Sequence, residues 1–68
     1  MNKQMLASVL AAHGDTQSTL AVILGLSLSR VNAKINANRA QFTQTEITEI
    51  KNHYGLTANE VDNIFFAS

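Results

Sequence analysis

The stretch LAVILGLSLSRVNAKIN, residues 20–36, decides how this chain is read. Its first half is apolar and holds one glycine, Gly25. Its second half sets Ser, Asn, Arg and Lys between spaced aliphatic residues. Three readings compete: a buried core segment, the stub of a membrane anchor, or two short helices meeting at a bend. Length removes the anchor. The longest unbroken apolar run, 20–26, has seven residues, against the roughly 20 that cross a bilayer.

Spacing favours the bend. Leu20 and Leu24 lie one helical turn apart, and Thr16 or Asp15 stands where an N-cap belongs. This predicts a helix over 17–24. Gly25 follows where a left-handed residue costs least. Ser27 can cap a second helix over 28–36, whose Leu28, Val31 and Ile35 form an apolar stripe. A second stripe, Ser29, Asn32, Ala33 and Asn36, is small, polar and neutral. It lacks the Glu/Lys pairs that decorate a merely solvated helix face. Two helices meet at a steep angle only across a tight turn with small residues at the contact. Ala21 and Gly25 are expected to meet that need, since a larger side chain at either would push the helices apart. Leu20, Leu24, Leu26, Val31 and Ile35 then form the inner seam. This is the physical logic of a helix-turn-helix over about 17–36.

Outward from that unit, helix signals continue. A helix over 3–12 carries Leu6, Val9 and Leu10 on one face, with Met5 beside them, and Gly14 ends it. After a loop over 37–42, Thr43 with Glu46 is a capping box opening a helix over 44–53. Ile47, Ile50 and Tyr54 are its inner face, and Gly55 is its stop. Thr57 with Glu60 repeats the box for a helix over 58–66, with Val61, Ile64 and Phe65 as its apolar face. No apolar/polar alternation marks a strand. The expectation is one all-α domain, 1–68, of five short helices.

Composition agrees. Hydrophobic residues make up 46% of the 68, enough for a core. With no cysteine, disulfides and thiolate metal sites are excluded. No signal-peptide pattern opens the chain, so a cytoplasmic location is expected. The net charge of zero is unevenly spread. Between 16 and 45 there are three bases, Arg30, Lys34 and Arg39, and no acid. From 46 onward there are four acids, Glu46, Glu49, Glu60 and Asp62, and one base, Lys51. A local positive field serves phosphate binding even on a neutral chain.

Enzyme signatures are missing. The two histidines, His13 and His53, fall at helix ends, where a cation favours the C-terminal dipole. No HExxH, GxSxG or phosphate loop occurs. The expectation is no catalysis, no metal, no cofactor and no small-molecule ligand.

TQSTLAVILGLSLSRVNAKIN resembles the helix-turn-helix of phage Cro- and CI-type repressors. Their usual pattern, Q-x-x-L-A-x-x-L-G-[ILV]-S-x-x-x-[VL], is met at Gln17, Leu20, Ala21, Leu24, Gly25, Leu26, Ser27 and Val31. AKIN, FTQTEI and LTANEVDNIFF resemble a subgroup of very short phage repressors, so the likeness covers about residues 6–66. It implies a lambda-repressor-like DNA-binding domain in the cytoplasm, at the nucleoid of a bacterial host. The helix over 28–36 would lie in the major groove of an operator. Three features depart from the family, the first being that the helix over 28–36 has fewer basic and Gln residues than many relatives. Val22 and Ile23 stand where charged residues are common, and Ile35 takes a core position that relatives place one residue earlier.

The resemblance assigns candidate roles. Gln17, Leu28, Ser29, Asn32 and Ala33 would read base edges: an amide for adenine, a hydroxyl for several edges, an apolar group for a thymine methyl. Leu28 also sits on the core stripe, and the sequence leaves burial and base contact equally open. Thr16, Ser18, Arg30, Lys34, Asn36, Asn38 and Arg39 are the phosphate candidates. Each phosphate contact adds about −0.9 to the log–log salt slope, so so few bases imply weak binding by one subunit and a dimer on a two-fold operator. Phe66, beside Phe65, and the pair Val22 and Ile23 are candidate dimer surfaces. The competing expectation is a protein-interaction module or antirepressor that kept the fold without DNA binding.

Overall fold

A computed structural model of the protein describes residues 1–36 and 41–66. Among them every regular element is helical: α1 (Lys3–Ala12), α2 (Gln17–Leu24), α3 (Leu28–Ile35), α4 (Gln44–Tyr54) and α5 (Ala58–Val61), which runs on into a π-helical turn, Asp62–Phe66.

Local chemistry explains the boundaries. Thr16 caps α2 and Ser27 caps α3, the latter accepting the Arg30 amide at 3.1 Å. Thr43 and Thr57 each form a capping box, with Glu46 and Glu60 returning to the cap amide at 2.9 Å. α2 and α4 both stop at a left-handed glycine, Gly25 at φ 68° and Gly55 at φ 64°. Of the two reasons expected for Gly25, the left-handed conformation holds and the close helix contact does not. A Cβ built there meets nothing within 4 Å, so the backbone conformation requires glycine and the helix contact does not. Ala21, 4% exposed, is part of the buried core.

The core draws on every helix. Leu6, Leu20, Val31, Ile50 and Ile64 are fully buried, with Leu10, Ala21, Phe42, Ile47, Tyr54, Leu56 and Val61 around them. α2 packs on both α3 and α4, while α1 packs on the π-helical turn. Asn2 fastens that last pair. Its carboxamide oxygen caps α1 through the Met5 amide, and its own amide donates to the Ile64 carbonyl at 2.7 Å. Phe65 is half-buried and meets Phe42 edge-on, with ring centroids 5.8 Å apart.

A second tie holds the start of α2. The Tyr54 hydroxyl at the end of α4 donates to the Asp15 carboxylate at 2.7 Å. The rings of His13 and His53 each lie 4.8 Å from the Tyr54 ring. The two histidines, far apart in sequence, thus flank one phenol. Burial and then the Asp15 carboxylate raise the Tyr54 pKa above the ordinary phenol value of 10.0. The fold therefore favours the protonated phenol, and its contribution is complete below pH 10 and lost as pH rises towards the folded value. Tyr54→Phe is expected to cost about 1.5 kcal/mol at neutral pH. Urea midpoints measured from pH 7 to 11 check this: the alkaline decline of the parent protein is reduced in the variant.

Candidate nucleic-acid interface

α3 is held by one side. Val31 is fully buried and Ile35 is packed on the core. The opposite side carries Ser29, Ala33 and Asn36, flanked by Leu28 and Asn32 at one edge and Arg30 at the other, and all six are exposed. Leu28 is 48% exposed, so it faces solvent at the first position of the helix and does not continue the core stripe. The outward groups are hydroxyl, amide, methyl and isobutyl, with one guanidinium.

Within this surface one pair is organised. The Asn36 Nδ2 donates to the Asn32 backbone carbonyl at 3.1 Å and to the Asn32 Oδ1. Asn36, a phosphate candidate, is thereby partly committed to the end of α3.

Lys34 is a correction to the phosphate set. Its ammonium lies 3.1 Å from the Glu46 carboxylate and donates to the Gln41 carbonyl at 3.0 Å. It also lies 5.9 Å from the centre of the Phe42 ring. The side chain is tied to the start of α4 and is not an outward cation. Burial pushes the Glu46 carboxyl up, but the Thr43 amide and the Lys34 ammonium outweigh it and leave the pKa below its ordinary value.

The start of α2 lies close by. Thr16 and Ser18 are exposed and Gln17 is half-buried. The Thr16 and Thr19 hydroxyls cap each other's amides at 3.4 and 3.3 Å. Helix geometry gives the Gln17 and Ser18 amides no carbonyl within α2 to bond. Gln17 and Asn36 line one cleft of about 400 Å³ with Thr16, Asp15, Lys3 and Gln4. The fold therefore joins the beginning of α2 to the end of α3, and adds α1. Lys3 and Gln4 were not sequence candidates. Nothing near position 3 points to the helix-turn-helix, and only the packing brings α1 to it.

The remaining candidates divide. Asn38 and Arg39 lie outside the described residues. Val22 is 82% exposed on α2. Ile23 is a correction to the proposed surface patch, because it is half-buried and packs on the core. Phe66 is 55% exposed and lines a cleft of about 340 Å³ together with Met1, Phe42 and Phe65. Among the described residues, no helix is long and apolar enough to cross a membrane. No family model, curated protein or solved structure matches the chain.

Proposed function

We propose that the chain is a sequence-specific, double-stranded DNA-binding transcriptional repressor of the phage Cro/CI type. α2, the turn at Gly25 and α3 act as the helix-turn-helix of a lambda-repressor-like domain. α3 lies in the major groove, and the start of α2 meets the phosphate backbone. Two copies bind a two-fold operator that overlaps a promoter in a bacterial host. Of the dimer candidates the fold leaves Phe66 and Val22 exposed, and the repressor reading takes Phe66 as the dimer surface. The reading involves no catalytic step and no cofactor.

The observation that carries it is the two-sidedness of α3. Its inner side is locked by Val31, and its outer side is free, neutral and made of groups that pair with base edges. Arg30, at the edge of that side, suits a phosphate of the groove wall. Lys3 is added to the phosphate candidates because it borders the cleft shared by α1, α2 and α3.

Amide chemical-shift mapping with a mixed-sequence duplex at low salt tests this. Residues 16–18 and 28–36 are expected to shift, and residues 57–62 are not. Shifts confined to α4 and α5, or none in a folded sample, would contradict it. Arg30→Ala is expected to weaken all duplexes alike. It should make the log–log salt slope shallower by about 0.9 per subunit, read by titration from low to moderate salt.

Val22 supports a second reading, a protein-interaction module. A large apolar side chain at 82% exposure contributes nothing to the core. Val22→Ser separates the two: it leaves duplex binding intact if α3 carries the function, and removes partner binding if α2 does.

A further inference from the structure

The reading side of α3 differs from a neutral surface in one respect: it places a large aliphatic side chain in solvent. Leu28 is the first residue of α3 and is 48% exposed, while Leu6 and Leu20 are fully buried. In a helix-turn-helix the first residues of the second helix reach the base edges. There the major groove offers one apolar group, the C5-methyl of thymine. Ala33, exposed farther along α3, offers a second methyl contact.

The polar groups point the same way. Asn32 is exposed on the same side, and its carboxamide carries both a donor and an acceptor. That is the donor and acceptor pair which matches adenine N7 and N6. Guanine is most often read by Arg or Lys, and α3 offers little of either. Lys34 is drawn away to Glu46 and Gln41. Arg30 lies about 160° around the helix from Asn32, at 3.6 residues per turn, and so cannot share its base pairs.

We infer that the DNA half-site recognised by α3 is built of A·T pairs, and that Leu28 reads the thymine C5-methyl. This rests on the repressor reading and names its substrate class.

The test begins with duplexes selected from a random library by the full chain. A·T pairs are expected at the positions under Leu28 and Asn32. Each thymine of the selected half-site is then replaced by deoxyuridine, which removes the methyl and keeps every hydrogen-bonding group. Binding is expected to weaken about fourfold for each contacted methyl removed. Leu28→Ser, at an exposed position, should fold and bind equally the duplexes that differ only at the thymine under Leu28. Equal binding of thymine and deoxyuridine duplexes by the parent chain would overturn the inference, as would G·C pairs at the read positions. Either result leaves the repressor reading standing. Failure of the folded chain to select any sequence would overturn both.

Discussion

Leu20→Ala is expected to destabilise the fold by about 3 kcal/mol, the largest effect of any single truncation on α2. Leu20 is fully buried at the middle of α2, which packs on both α3 and α4. Truncation removes transfer free energy and leaves a cavity that rigid helices cannot close. A chain of 68 residues has a total stability of only about 3–10 kcal/mol. The variant therefore sits at the edge of unfolding at 37 °C. Urea unfolding followed by far-ultraviolet circular dichroism measures the loss. Val22→Ala, two residues on and exposed, is expected to change stability by less than about 0.5 kcal/mol. A Leu20→Ala loss below about 1 kcal/mol would mean that α2 is not anchored as its burial indicates.

Ser29→Glu is expected to abolish DNA binding, by at least about a hundredfold, without loss of stability. Ser29 is the second residue of α3 and is exposed. A carboxylate in the first turn of a helix is neutral or favourable to the fold. In the major groove the same carboxylate faces phosphates and base acceptors, and it appears twice in a dimer. Asn59→Glu is the matched control. Asn59 is the exposed second residue of α5, so the charge change and the helix position are the same. Fluorescence anisotropy with a labelled duplex separates the two variants. Equal losses would assign the effect to net charge and remove α3 from the interface.

What the sequence revealed was local. Caps at Thr16, Ser27, Thr43 and Thr57 act over three residues, and the stops at Gly25 and Gly55 act on a single φ. Such features are written where they act. The aliphatic spacing of α3 placed Val31 inside but could not place Leu28. At a helix start a stripe residue can lie beyond the edge of the packed surface. The ties that position the candidate interface join distant residues: Tyr54 to Asp15, Lys34 to Glu46, Asn2 to Ile64. None has a local signature, because each depends on which helix ends the fold brings together. The same holds for Lys3 beside Gln17 and Asn36. The half-burial of Ile23 has no local signal, because apolar residues adjacent in α2 lie about 100° apart around the axis and packing alone decides which of them reaches the core. The π-helical turn over Asp62–Phe66 also lacks a signal, since DNIFF contains neither glycine nor proline.

The central claim is that α3 reads DNA sequence. Repeated selection of bound duplexes from a random library, at moderate salt, tests it most directly. The account predicts enrichment of a two-fold symmetric site with half-sites about one helical turn apart. No enrichment from a folded sample, at low salt as well as moderate, would contradict it.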